Sequence, residues 1–292
     1  MLSIVLAIAI AVVLFDFMAS RAMPKRPVRI VQLGAPLSAE TPVLLVFPGF
    51  SNPAHQLGLG ISSIIGPDKS VLVVDYGTAM DDDEIYDAVY TFLDQRYGAI
   101  FDFNLYGHSM GGQVGAMFRQ RYVQEGSRLG PINHFIMDCS PMRASSLQTP
   151  VPLFIARLLA WLVWPGIVLQ GLIALGHIVS RITMHPELDK TVNRRLYRSY
   201  ANAMTLFSAR AWLAQIRYML RFGKKLEENS AEVVYICSEN PKRDKLVKQL
   251  KAIEQWQQKL YNFVRVPAPI SHAWPMEQPV VYSGIFERVW KV

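Results

Sequence analysis

Short, unbroken apolar runs recur along this chain of 292 residues, and segments with helical periodicity separate them. Strands that bury one face alternate apolar with polar residues, whereas continuous runs of Val, Ile and Leu are typical of strands buried on both faces. Such strands form parallel sheets covered by helices on both sides. We therefore predict a mostly parallel α/β fold, with strands within 42–50, 69–77, 103–107, 132–141, 231–240 and 262–269.

Three segments that lie between or after these runs have the pattern of amphipathic helices. Residues 81–98 begin with acidic residues, which favour the N-terminal end of a helix dipole, and Ile85 and Val89 share one face. Residues 111–126 and 280–290 form the other two predicted helices. Their positions between strands and at the end of the chain complete the α/β pattern.

Residues 142–230 interrupt this alternation with sequence that is helical throughout. We predict that they form a helical cap, inserted into an α/β core made of residues 28–141 and 231–292. The first part of the cap is strongly apolar. Pro165 and Gly166 divide it into halves that are each too short to cross a bilayer as a helix.

The predicted cap is also basic. Residues 151–225 contain eleven Lys and Arg residues and two acids, a net charge of +9, so the rest of the chain carries −2 of the total of +7. Charge confined to one segment indicates a local surface and argues against a nucleic-acid partner. Two interpretations stay open: ordinary helical packing on the core, or a lid that binds a lipid surface with its basic residues towards anionic head groups.

The first nineteen residues are apolar through Phe15, with Asp16 as their only charge. A helix of that length spans about 28 Å, close to a bilayer core of about 30 Å. No basic residue precedes the run, whereas Arg21 and Lys25 follow it, which favours a membrane anchor with a cytoplasmic body. A signal peptide that is cleaved on export is the alternative for residues 1–22.

The stretch LYGHSMGGQVG, residues 105–115, holds a serine between glycines. Gly-x-Ser-x-Gly alone is a weak signal, because about one chain in ten of this length contains it by chance. Here a predicted strand precedes the motif and a predicted helix follows it, which is the context of a strained turn that presents a nucleophile. Gly107 and Gly111 leave room for the backbone on either side of Ser109.

A serine hydroxyl needs a general base, because it is a weak nucleophile at its own pKa. Of the six histidines, His108 lies inside the serine turn and His272 follows the last predicted strand. The carboxyl ends of parallel strands meet at one edge of a sheet, so we expect His272 and Ser109 at the same edge. His272 is the predicted base.

The segments GHSMGG and SHAWPMEQPVVYSGIFERVW resemble the nucleophile elbow and the histidine segment of the α/β-hydrolases. Within that family the chain is most similar to serine esterases and lipases of the monoacylglycerol-lipase and serine-aminopeptidase type. The resemblance covers residues 42–292 and places the cap where the family often carries one. It also implies extra strands at the start of the fold, and PVRIVQLG, residues 27–34, is expected to supply one.

The family order of serine, acid and histidine places the acid between Ser109 and His272. The segment YICSENPKRDKLV resembles the acidic turn that follows a strand in this family, and it maps the acid to Asp244. Glu239 in the same turn and Asp138 at the end of an earlier strand stay open as alternatives.

The same resemblance implies an oxyanion hole built from two backbone N–H groups. One belongs to Met110, directly after the serine, and the other to Phe50 in the turn FPGFSN. The histidines are scattered and lack the spacing of a zinc motif, so the sequence implies no metal and no cofactor.

Together these residues predict a serine hydrolase of carboxylic esters that acts through an acyl-enzyme. The apolar cap and the N-terminal segment favour lipid or other acyl-chain esters as substrates and a membrane surface as a partner. A thioesterase, acyltransferase or peptidase would use the same residues. A non-catalytic, membrane-bound scaffold is the alternative from another class.

Overall fold

The computed structural model describes a sheet domain and one helix of the predicted cap. The described residues are 26–50, 52–78, 80–97, 103–125, 129–148, 209–222, 226, 229–244, 246–270, 272, 275–276 and 278–290. The predicted anchor or signal segment, residues 1–22, lies outside them, and so does most of the cap. No helix within these ranges combines the length and the apolar character that a bilayer span requires.

One sheet of seven strands forms the centre of the described chain: β1 (Arg29–Gly34), β2 (Val43–Phe47), β3 (Ser70–Asp75), β4 (Phe103–His108), β5 (Ile132–Asp138), β6 (Asn229–Ser238) and β7 (Leu260–Ala268). Their spatial order is β1-β3-β2-β4-β5-β6-β7. β1 is antiparallel to β3, and all the other neighbouring pairs are parallel. The prediction of a mostly parallel sheet is therefore confirmed.

β1 lies at one edge of the sheet and comes from the segment that the family resemblance assigned to an extra strand. Its register pairs Arg29 with Asp75 and Gly34 with Ser70. Its residues are partly exposed, whereas every residue of β2 is buried. The sequences agree with this difference, because RIVQLG mixes polar with apolar residues and VLLVF contains none that are polar.

Six α-helices are described: α1 (Ala54–Ile65), α2 (Asp82–Tyr97), α3 (Met110–Gln124), α4 (Ala209–Arg221), α5 (Gln249–Gln257) and α6 (Pro279–Trp290). α1 and α6 cover one face of the sheet, and the other four helices contribute to the core on the opposite face. The helices predicted at 81–98, 111–126 and 280–290 correspond to α2, α3 and α6.

The central strands send alternate residues into two separate cores. In β2, Leu44 and Val46 belong to the core beneath α1 and α6, whereas Val43, Leu45 and Phe47 belong to the other core. All five side chains are at most 1% exposed. Burying an aliphatic or aromatic side chain of this size stabilises a fold by about 1.5–3 kcal/mol. Burial on both faces explains why this strand is an unbroken apolar run.

The described parts of the predicted cap pack against the sheet domain. Leu147 forms an isolated antiparallel bridge with Val247. In α4, the phenol of Tyr218 donates to Oδ1 of Asp82 at 2.8 Å, which ties this helix to the start of α2. The strand after the cap, β6, begins at Asn229, slightly before the boundary predicted at 231.

The topology brings the predicted functional residues to one edge of the sheet. Ser109 directly follows β4, and Asp138 ends β5. Asp244 comes shortly after β6, and His272 comes shortly after β7. Since these four strands are parallel neighbours, their carboxyl ends lie side by side. Ligands of open α/β sheets bind at this edge.

Candidate active site

Ser109 occupies a strained turn between β4 and α3. Its backbone has φ 52° and ψ −116°, a combination that is rare for a residue with a side chain. The Ser109 N–H donates to the carbonyl of Asp138 at 2.8 Å, and the Gly112 N–H donates to the carbonyl of Ser109 at 3.0 Å. The backbone therefore has the geometry expected of a turn that presents a nucleophile.

Glycines on either side of the serine let the backbone pass close to its neighbours. A β-carbon on Gly111 would collide with the carbonyl oxygen of Phe47 in β2. One on Gly107 would lie 2.5 Å from the Cα of Gly112. Both obstacles are backbone atoms of the packed turn, which cannot swing aside as a flexible side chain can. A larger residue at either position would displace Ser109.

His108, the last residue of β4, joins the serine turn to the turn after β2. The Asn52 side chain donates from Nδ2 to Nδ1 of His108 at 2.7 Å, and both side chains are buried. The sequence identified His108 only as part of the elbow and did not identify Asn52. Their 56-residue separation leaves no local pattern from which this contact could be inferred.

His272 meets Ser109 across a sequence separation of 163 residues. Nε2 of His272 lies 3.0 Å from Oγ of Ser109, and Nδ1 of His272 lies 2.8 Å from Oδ2 of Asp244. When Nδ1–H donates to the carboxylate, Nε2 carries the lone pair that can accept the serine proton. Since His272 is 9% exposed and Asp244 is 0% exposed, water competes little for these contacts.

Of the three candidate acids, the structure brings the preferred one, Asp244, to the histidine. Glu239 lies exposed in the turn after β6, where its backbone N–H donates to the carbonyl of Ala268 at 2.8 Å. Asp138 is buried at the same edge, but its carboxylate binds other residues. The geometry thus selects Asp244 as the partner of His272.

The Asp244 carboxylate receives hydrogen bonds on both oxygens. Oδ1 accepts the backbone N–H groups of Leu246 at 2.8 Å and Val247 at 2.9 Å. Oδ2 accepts Nε2–H of Gln249 at 2.5 Å in addition to the histidine. A buried carboxylate is tolerated when donors surround it in this way. Gln249 was not identified from the sequence.

Asp138 has a different environment from Asp244. Its Oδ2 accepts the phenols of Tyr106 at 2.5 Å and Tyr282 at 2.7 Å, whereas Oδ1 has no hydrogen-bond partner among the described atoms. Burial raises the pKa of Asp138 to about 6, although the two phenols act in the opposite direction. Burial also raises the pKa of the Tyr106 phenol well above its usual value, so Tyr106 stays a donor.

Cys139 lies between these two carboxylates in sequence and space. It is a non-glycine residue with φ 46°, and its N–H donates to the carbonyl of Ile236 at 2.9 Å. Its Sγ and ligand atoms of Asp244 and His272 lie within 4.8 Å of one another, a spacing that could hold a metal ion. However, Asp244 and His272 are hydrogen-bonded to each other, and burial raises the pKa of the thiol well above its usual range. These contacts describe a hydrogen-bond network.

The two predicted oxyanion donors lie at the same edge as the triad residues. Phe50 is in the turn after β2, half-buried against the core, and Met110 is the first residue of α3. β2 and β4 are parallel neighbours, so these two turns are adjacent. The phenol of Tyr76 donates to the carbonyl of Pro48 at 2.9 Å and anchors the Phe50 turn.

No protein-family model matches this chain, and no curated protein sequence matches it. Its structure is similar to that of MenH from S. aureus, with 14% identity and a TM-score of 0.62 over 90% of this chain and 98% of that one. The type II thioesterase BorB from the borrelidin biosynthetic cluster gives 16% identity and a TM-score of 0.61, covering 89% and 97%.

A third similar structure is MGS-M2, an α/β hydrolase enzyme from a Medee basin deep-sea metagenome library. It gives 14% identity and a TM-score of 0.59, covering 91% of this chain and 94% of that chain. The structural similarity shows a common fold. At identities this low it leaves the reaction undetermined, because one fold hosts many activities. The coverage, the strand order and the strained serine turn agree on that fold. The chain has the α/β-hydrolase fold.

Proposed function

We propose that the protein is a serine hydrolase that cleaves carboxylic esters through an acyl-enzyme. The observation that carries this proposal is the run of hydrogen bonds from Ser109 through His272 to Asp244, with distances of 3.0 and 2.8 Å. A hydroxyl, an imidazole and a carboxylate in this order are the groups that acyl transfer to serine requires. Low solvent exposure strengthens their electrostatic coupling.

In the first half-reaction, Oγ of Ser109 attacks the acyl carbon while Nε2 of His272 takes the hydroxyl proton. Asp244 accepts the hydrogen bond from Nδ1–H and stabilises the imidazolium that forms. His272 then gives the proton to the oxygen of the leaving alcohol, and the ester C–O bond breaks. A water molecule attacks the acyl-serine by the same sequence of proton transfers, which releases the acid and restores Ser109.

The carbonyl oxygen becomes negatively charged during both attacks. We propose that the backbone N–H groups of Met110 and Phe50 bind it. Met110 begins α3, so its N–H also benefits from the positive potential at a helix N-terminus. The Tyr76–Pro48 hydrogen bond of 2.9 Å supports the position of the Phe50 turn.

A fluorophosphonate probe, which reacts with activated serines, tests the proposal. The probe should label the wild type and a Ser63→Ala control, whose serine is exposed on α1, but not Ser109→Ala. Labelling of Ser109→Ala, or no labelling of a folded wild type, would contradict the mechanism. The second result would favour the non-catalytic scaffold.

The proposed substrates are esters of lipids or other acyl chains, cleaved at a membrane surface by a cytoplasmic body. The support comes from the sequence, which has an apolar segment at 1–22 and an apolar, basic cap at 142–230. The protein should then pellet with membranes and resist a carbonate wash, and kcat/KM should rise with acyl-chain length. A soluble protein with a processed N-terminus would instead indicate export after signal cleavage.

Thioester hydrolysis is the second candidate, since BorB, with a similar structure, is a type II thioesterase. The same residues would act, because only the leaving atom changes from oxygen to sulfur. The two candidates are separated by kcat/KM for an ester and a thioester with the same acyl group. A clear preference for the thioester would overturn the ester assignment and leave the roles of Ser109 and His272 in place.

A further inference from the structure

We propose that Gln249 is a positioning residue for the catalytic acid, an inference that rests on the proposed hydrolase function. Gln249 begins α5 and is 1% exposed. Its Nε2–H donates to Oδ2 of Asp244 at 2.5 Å, the same oxygen that accepts Nδ1–H of His272 at 2.8 Å. The amide therefore acts on the oxygen that faces the histidine.

The orientation of the Gln249 amide is fixed by its own contacts. Oε1 accepts the backbone N–H of Ser238 at 2.7 Å, so Nε2 must be the atom that faces Asp244. A second Nε2 hydrogen points to Sγ of Cys139 at 3.2 Å. The acceptor and both donors of the amide are thus engaged. Gln249 links the end of β6 to the triad through one rigid group.

These contacts prevent rotation of the Asp244 carboxylate. The N–H groups of Leu246 and Val247 hold Oδ1, and Gln249 holds Oδ2. Without the amide, the carboxylate can turn about its Cβ–Cγ bond and move Oδ2 away from Nδ1 of His272. The histidine would then lose the acceptor that fixes its tautomer and stabilises its imidazolium.

Gln249→Leu tests this role, and Gln255→Leu is the matched control. Gln255 lies in the same helix, and its Nε2 donates to Oγ of Ser145 at 3.0 Å, away from the triad. Both variants lose a partly or fully buried amide hydrogen bond, so both should lower Tm. Gln249→Leu alone should lower kcat on the order of 10- to 100-fold, with KM within about twofold of the wild type.

Gln249→Glu is a second variant, and its side chain has nearly the same shape as that of glutamine. It tests the positioning role even if Gln249→Leu fails to fold. Two carboxylates this close cannot both ionise without cost, so Glu and Asp244 should share a proton. The shared proton replaces the amide donor and is lost as the pH rises. Among the described residues, Asp244 and Cys139 contact the Gln249 amide and His272 contacts Asp244, while Asp138, Cys237 and Tyr235 interact electrostatically with Cys139. We expect kcat of Gln249→Glu to fall with rising pH relative to the wild type.

Two results would overturn the positioning role: wild-type kcat in folded Gln249→Leu, or a Gln249→Glu variant with the pH profile of the wild type. Ser109→Ala distinguishes this failure from a failure of the proposed function. If Ser109→Ala abolishes hydrolysis while Gln249→Leu keeps it, only the positioning role is wrong. If the Ser109→Ala variant still hydrolyses the ester, the proposed function is wrong. The positioning role of Gln249 is then wrong as well, because it depends on that function.

Discussion

Asp244 and Asp138 are both fully buried carboxylates at the same edge of the sheet, yet their surroundings differ. Asp244 has two donors on each oxygen, one of which is His272. Asp138 has the phenols of Tyr106 and Tyr282 on one oxygen and no described partner on the other. Both carboxylates are therefore buried, and they differ in the hydrogen-bond donors that surround them.

This difference bears on which carboxylate can assist an imidazolium. Burial raises the pKa of Asp138 to about 6, so this group carries a proton for part of the time near neutral pH. An acid that serves His272 must stay charged and stay aligned with Nδ1. Donors on both oxygens of Asp244 hold the direction of its carboxylate. The donor sets therefore favour Asp244 as the acid of the proposed reaction, whereas Asp138 contacts the phenols of Tyr106 and Tyr282.

The largest expected effect is on activity. Asp244→Asn should lower kcat on the order of 10³–10⁴-fold on a short p-nitrophenyl ester, because the amide no longer orients the histidine tautomer. Asp138→Asn should lower kcat by less than about tenfold, since this carboxylate does not contact His272 directly. Glu239→Gln is the exposed control and should match the wild type. A larger loss at position 138 than at 244 would reverse the assignment.

Local patterns in the sequence were sufficient to propose Ser109 as the nucleophile and His272 as the base, and the structure places the two side chains in contact. Ser109 stands in a strand–turn–helix motif, and His272 follows the last strand in a segment that resembles one family. Both features depend on neighbours in sequence, so they are visible without the fold. Parallel strands that end at one edge bring the two turns together, which allows the contact of 3.0 Å between the two residues.

The acid was less certain from the sequence, because Asp244 follows Lys242 and Arg243 and resembles an exposed loop charge. None of the residues in the short turn Pro241–Arg243 is buried, which agrees with that appearance. Asp244 itself is 0% exposed because the next residues fold back and direct the N–H groups of Leu246 and Val247 at its carboxylate. These two hydrogen bonds form a local turn, whereas the contact of Asp244 with His272 joins residues 28 positions apart and leaves no mark in the local sequence.

Two helices and one positioning residue were not identified from the sequence. α1 contains Gly58, which weakens the helical signal. A β-carbon there would collide with Leu33 and lie 2.7 Å from Cγ2 of Val73, so a larger residue would force these side chains to shift. The sequence of α5 is typical of a polar surface helix, and from this pattern Gln249 would be expected to be exposed. Only the packing of α5 against the site reveals its buried amide.

The next effect in size is on stability, and it depends on pH. The pKa of Asp138 is raised from 3.8 to about 6 by burial. Below pH 3.8 both the folded and the unfolded chain hold this proton, so the stability contribution is fully present there. As the pH rises through about 6, the folded chain must ionise a desolvated carboxyl, and up to about 3 kcal/mol is lost.

Asp138→Asn removes that loss, because an amide does not ionise. The stability of the variant relative to the wild type should therefore increase between about pH 4 and pH 6, by up to about 3 kcal/mol, and level off above that range. Urea unfolding of both proteins at several pH values measures this difference. If the difference in unfolding free energy between the two proteins does not depend on pH, Asp138 does not titrate in this range. The comparison of Asp138 with Asp244 would then rest on their hydrogen-bond donors alone.

The smallest expected effect comes from one phenol. Tyr282 donates to Oδ2 of Asp138 at 2.7 Å and lowers the pKa of that carboxyl against the effect of burial. Tyr282→Phe should cost about 1–3 kcal/mol at pH 8, where the carboxylate is charged, and less at pH 5. Tyr122→Phe is the matched control, because its phenol donates to backbone carbonyls, including that of Gly130 at 2.7 Å, and its loss should not depend on pH. Equal pH dependence in both variants would mean that the phenol of Tyr282 does not stabilise the charge on Asp138.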